Sequence, residues 1–175
     1  MRFVGVIIFC MLSTPVLAQS ANLYISKCTK DAENLFKEHV KLDGQIIFTH
    51  VPRGLIVSID ETVFFNENQE KIKQDGIVIL NQIGKVLNLL DNDFVIEGHT
   101  EATNPELSIY NSNWELSLAR ANNITKYLMR CVKVSPEKLF TVGFGEFMPF
   151  ADNVSQDAQL NNRIDFVILD YEASR

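Results

Sequence analysis

Positive charge is scarce in this chain of 175 residues, where sixteen Lys and Arg stand against twenty-two Asp and Glu, a formal net charge of −6. Gripping nucleic acid through bulk charge needs a basic face that releases counterions, so that class of partner is excluded. Glycine and proline are few, eight and five, which excludes collagen-like and Pro/Gly low-complexity chains, and 46% hydrophobic residues is too many for general disorder. The three histidines, His39, His50 and His99, show no metal-ligand spacing. Signs of catalysis are also missing. No Gly-x-Ser-x-Gly elbow presents a nucleophile, and Gly143-Phe144-Gly145 is too short for a dinucleotide fingerprint. His99-Thr100-Glu101 opens like a zinc deaminase motif but lacks the Pro-Cys-x-x-Cys partner. Asn123-Ile124-Thr125 and Asn153-Val154-Ser155 are glycosylation sequons by pattern alone. Neither an enzyme nor a cofactor is expected.

What is present suits one domain with a short appendage. Met1-Arg2, the apolar run Phe3–Leu12, the break at Pro15 and the small residues ending at Ala18 together read as a signal peptide over residues 1–18, cleaved before Gln19. Pro15 stops the run short of a membrane-spanning length, and no later stretch is apolar enough to cross a bilayer. Cleavage removes Arg2 and no acid, leaving an exported chain of charge −7. It also removes Cys10, and the remaining Cys28 and Cys131 read equally well as one disulfide or as two independent thiols.

Apolar periodicity then lays out the elements. Ala32, Leu35, Phe36 and Val40 predict a helix over 29–43, capped by Thr29 and ended by Gly44, within a helical appendage spanning 19–44. The runs 45–50 and 55–60 flank Val51-Pro52-Arg53-Gly54 and predict a β-hairpin. Ile79, Leu80, Ile83, Val86, Leu87 and Leu90 mark an amphipathic helix, with Ile72 before it on the same face and Asp75 near its start. Residues 93–97 predict a short buried strand. Ser112-Asn113-Trp114-Glu115 fits a capping box opening a helix to about Arg130. Ser135-Pro136-Glu137 reads as a further helix start, and strands are predicted at 139–144 and 163–170. Strands alternating with helices predict an α+β fold, one sheet with helices packed on a face.

The most informative stretch is Glu97-Gly98-His99-Thr100-Glu101, which leaves a buried strand through a glycine. Nineteen residues on, Arg120 lies in the early turns of the capped helix. A carboxylate and a guanidinium placed this way can converge on a zwitterionic ligand, although a plain Glu101–Arg120 surface ion pair is the commoner reason for such a placement.

Four motifs in order carry a resemblance: Gly98-His99-Thr100-Glu101, Asn113 through Ala121, Gly143-Phe144-Gly145-Glu146 with Pro149, and Asn161-Asn162-Arg163. They resemble the OmpA-like peptidoglycan-binding domain, nearest in form to the C-terminal domain of flagellar MotB proteins, over about residues 45–170. The resemblance implies a βαβαβ domain over 45–175, with a mixed sheet. It implies noncovalent binding of peptidoglycan through diaminopimelate, with Arg120 on a carboxylate, Glu101 on the ammonium, Thr100 and Asn113 as hydrogen-bonding groups and Arg163 as a further ligand-binding residue. Glu101 stands where the family prefers aspartate. Asn162 replaces one arginine of the family's N-R-R, and Asp157-Ala158 stands where Gly-Arg usually precedes it. These changes remove positive charge and leave open a degenerate site kept for protein contacts. Where MotB proteins carry a channel-forming helix this chain has its leader, so ion conduction is not expected. The expected setting is the periplasm of a Gram-negative bacterium, as an accessory of an envelope complex such as a motor or secretion machine, with a homodimer left open.

Overall fold

The computed structural model describes residues 26–42, 46–101, 109–150 and 158–170. The predicted leader, Gly44 and Asp157 lie outside them.

Helix α1 (Lys27–His39) starts at Ser26, whose hydroxyl accepts from the Thr29 amide at 3.2 Å. The cap is therefore Ser26 rather than Thr29, and the helix ends at Val40. Strands β1 (Ile46–Val51) and β2 (Gly54–Asp60) form the predicted antiparallel hairpin. A 3-10 turn, Glu61–Val63, leads past Phe64 and Phe65 to α2 (Gln74–Leu89), with Asp75 in its first turn, where it complements the helix dipole. Ile72 precedes that helix and is partly buried against the core. Strand β3 (Phe94–His99) is followed by α3 (Asn113–Tyr127), a π-helical turn (Leu128–Val132), β4 (Leu139–Gly145) and β5 (Arg163–Leu169). The expected helix at Ser135-Pro136-Glu137 is a single 3-10 turn, Pro136–Lys138, because the Ser135 hydroxyl bonds the Glu137 carboxylate at 2.8 Å and caps no amide.

The sheet runs β1-β2-β5-β3-β4. Only β3 and β4 pair in parallel, joined through α3, as a parallel pair requires. Leu55, Val57, Ile59, Phe94, Ile96, Ile164, Phe166 and Ile168 turn to one face and form a single core with all three helices. Helix α1 is integral to that core: Ala32 and Phe36 are fully buried, and burying a side chain such as Phe36 contributes about 1.5–3 kcal/mol. No helix among the described residues is long and apolar enough to cross a membrane.

Strand β3 continues through Gly98 to His99 instead of ending at Glu97, because Gly98 pairs with Ile164 on one side and Gly143 on the other. The glycines serve close approach. A Cβ on Gly98 would lie 2.2 Å from the Ser117 carbonyl oxygen, and one on Gly143 would lie 2.6 Å from the Leu118 amide nitrogen. Helix α3 thus rests directly on the backbones of β3 and β4. The Ser117 hydroxyl locks the seam by accepting from the Gly145 amide at 2.9 Å.

Gly143→Ala is expected to push α3 off the sheet and to destabilise the protein by about 1–3 kcal/mol, the usual cost of overpacking. Chemical denaturation of the variant and the wild type measures it, and an unchanged midpoint would show that α3 does not depend on this contact.

Candidate functional site

At the end of β3 the alternation of side chains splits the motif. Thr100 follows the strand on the helix side, and His99 turns to the opposite face with Glu97. On the helix side, α3 delivers Arg120 to Thr100. Arg120 is 1% exposed, the largest fully buried side chain among the described residues.

A buried guanidinium must satisfy its donors. Arg120 Nη1 donates to Glu61 Oε2 and, at 3.2 Å, to Thr100 Oγ1. Nε donates to the Gln69 carbonyl at 2.8 Å and Nη2 to the Asn66 carbonyl at 3.3 Å. The Thr100 hydroxyl donates to Glu61 Oε2 at 3.1 Å. The Phe65 ring lies 5.2 Å from the guanidinium carbon and adds a cation–π contact. Burial pushes the Glu61 carboxyl above the ordinary glutamate range, outweighing the Arg120 charge and the Thr100 hydroxyl that oppose it. The partner of Arg120 is thus Glu61, not Glu101. Glu61 gave no signal in the sequence, since its contact spans 59 positions and depends on where the turn after β2 meets α3.

Glu101 is half-buried and held from a different side. Its Oε2 accepts from Asn161 Nδ2 at 2.7 Å, and its amide donates to Asn162 Oδ1 at 2.6 Å. The Asn162 carbonyl accepts from the Glu61 amide at 3.1 Å. Asn161 Oδ1 takes the Phe150 amide at 2.7 Å. The residue replacing a family arginine therefore braces Glu101 and Glu61 together. Asn113 is the first residue of α3 and is half-buried. Ser112 caps the helix as expected, accepting from the Glu115 amide at 3.1 Å, but Glu115 returns to the Asn111 amide at 2.8 Å rather than to Ser112.

Two sequence expectations are corrected. Arg163 does not join Arg120: on β5 it alternates with the core residue Ile164 and so faces away from the helices. There its Nε donates to both carboxylate oxygens of Asp165, at 3.1 and 3.0 Å. The disulfide reading of Cys28 and Cys131 also gives way, since both thiols are free. Cys28 Sγ accepts from Asn92 Nδ2 at 3.2 Å, and Asn92 Nδ2 also donates to the Leu169 carbonyl at 2.7 Å, fixing the thiol beside the start of β3. Cys131 is exposed in the π-helical turn after α3, near Glu70 and Asn123.

Thr100, Glu101, Glu61 and Arg120 therefore share one end of the sheet, where two segments of the motif meet the start of β5. Acid, amide, hydroxyl and guanidinium groups are gathered there, most of them buried.

Known proteins share this fold. The periplasmic domain of Helicobacter pylori MotB superposes with a TM-score of 0.67 at 24% identity, over 73% of this chain and 83% of that one. An uncharacterized Bacillus subtilis protein, YtxE, is 30% identical over 77% of this chain and 56% of its own length. Motility protein B of the same organism is 27% identical over 73% of this chain and 49% of its own. The chain spans about half the length of these two curated relatives. The mixed five-stranded sheet with its helices on one face is thus the fold of MotB periplasmic domains. Residues 64–163, from the buried Phe64 to Arg163, match the OmpA family, and the chain belongs to it.

Proposed function

We propose that this chain is a noncovalent peptidoglycan-binding module, taking the stem-peptide diaminopimelate and tying a periplasmic envelope assembly to the wall. Support comes from the convergence at the end of β3, where Thr100 and Arg120 bond each other and Asn161 and Asn162 clasp Glu101. A zwitterion placed there meets a carboxylate at Glu101 and a guanidinium at Arg120. Asn113 stands at the amino end of α3, where free amides favour an anionic group. Recognition of this kind needs no bond-making group, and the role is binding rather than catalysis.

A ligand carboxylate reaching Arg120 has to displace the Glu61 carboxylate that already holds it. Glu61 therefore acts as an internal competitor that weakens wall binding. The burial of Arg120 also favours a second reading, a protein-interaction subunit of an envelope complex in which Glu61 has taken the ligand's place permanently.

Retention of the purified protein on isolated sacculi separates the readings. On the first, the wild type is retained and free diaminopimelate elutes it. Arg120→Lys, which keeps the charge but loses the fork, is then retained at least about tenfold less, the scale of one lost charge-assisted contact. Equal retention of both, with circular dichroism unchanged, removes Arg120 from the site. On the second reading the wild type is not retained, and Glu101→Asp with Asn162→Arg restores binding.

The raised Glu61 carboxyl sets a stability trend. The folded protein binds this proton more tightly than the unfolded chain, so the group contributes stability below the ordinary value of 4.5 and loses it as pH rises through its raised folded value. Urea melts of wild type and Glu61→Gln should therefore show the wild type losing ground to the variant across that window. A difference moving the other way would mean that the Arg120 charge, not burial, dominates Glu61.

A further inference from the structure

The face of the sheet turned away from the helices carries a second cluster that the wall-binding reading does not use. Register brings it together: β3 and β5 pair with Glu97 opposite Asp165 and His99 opposite Arg163, and all four side chains share that face. The ligand atoms of Glu97, His99 and Asp165 lie within 4.8 Å of one another. All three residues are buried, at 3%, 2% and 3% exposure, on the wall of a cavity of about 420 Å³. Two carboxylates directly opposite each other in a sheet repel, so a cation between them is favoured.

His99 supplies an independent observation. Its Nδ1 is buried and without a hydrogen-bond partner, while Nε2 stands 3.3 Å from Asp165 Oδ2, at ion-pair distance. Buried polar atoms are nearly always paired, and an imidazole with an unpartnered buried nitrogen, held beside two carboxylates, has the form of a waiting ligand. The ring is stacked on Phe144, with centroids 5.1 Å apart and planes at 18°, which fixes its plane.

The two neighbouring arginines are not equivalent. Arg163 is buried and holds Asp165 through Nε, the kind of outer contact that orients a metal-bound carboxylate. Arg53 rises from the β1–β2 turn to the cavity mouth with a side chain 48% exposed, and it grips Glu97 with both Nη atoms at 2.7 and 2.9 Å. Swinging Arg53 into solvent frees both Glu97 oxygens. Two carboxylates then face Arg163 alone, and the cavity becomes net negative.

We propose that Glu97, His99 and Asp165 form a site for a divalent transition-metal cation of the zinc or cobalt class, entered when Arg53 leaves Glu97. One imidazole nitrogen and two carboxylate oxygens are a donor set that such ions accept, and the cavity leaves room for water at a remaining position. The sequence concealed this site because its ligands come from paired strands rather than from a spaced motif. It lies on the face opposite Arg120 and stands or falls apart from wall binding.

Titration of the tag-free, metal-free chain with Co²⁺, followed by visible absorption, tests it. One Co²⁺ per chain with a ligand-field band that Zn²⁺ displaces is expected. His99→Gln should weaken binding at least about tenfold, and Arg53→Gln should tighten it by a similar factor. The gain in Arg53→Gln cannot arise from misfolding, so it guards against a His99 variant that merely fails to fold. The site is overturned by absence of a band at millimolar Co²⁺, by binding indifferent to His99→Gln, or by an Arg53→Gln variant that binds no more tightly than wild type.

Discussion

A fully buried guanidinium with every donor nitrogen spoken for organises one end of this protein. Arg120 cannot be solvated where it sits, so the chain has to bring acceptors to it: a carboxylate from the turn after β2, a hydroxyl from the end of β3, and carbonyls from the segment leading to α2. Three stretches of the chain are tied to one side chain. Removing a partner from such an arrangement is far costlier than its net contribution to stability suggests, because a charge would be stranded in a low-dielectric interior. The same requirement shapes function, since any ligand of Arg120 has to replace a contact the fold already makes.

Much of the architecture was legible because it rests on local rules. The hairpin around Pro52-Arg53, the apolar face from Ile79 to Leu87 and the cap at Ser112 are all encoded within a few residues of where they act. The motif resemblance names both Thr100 and Arg120, and in the structure these two side chains bond each other. Less was legible where backbone approach or strand register decides. Gly98 reads as a strand end, yet it lies inside β3 because a helix backbone presses on it. Arg163 falls beside the site in sequence, but period-two alternation turns it to the far face. Glu61 has no marker at all, since a long-range ion pair leaves no periodic trace.

The sheet also divides the chemistry between its two sides. One face carries the apolar core and, at its end, the site built around Arg120. The other carries Glu97, His99, Arg163 and Asp165, a set of charges that balances only through paired contacts. Neighbouring residues of one motif, His99 and Thr100, thus fall on opposite faces of the sheet through strand geometry alone. A substitution at either position tests one side of the sheet.

The clasp formed by Asn161 and Asn162 has a kinetic meaning on the proposed reading. An amide holds Glu101 firmly but projects no net charge into solvent, and the chain as a whole is anionic. Long-range attraction would then do little to draw this protein to an acidic polymer, and diffusive capture would be slow. Occupancy would depend on prior confinement: a partner that holds the chain close to its target raises the local concentration, and the contacts at Glu101 and Arg120 then govern how long each encounter lasts.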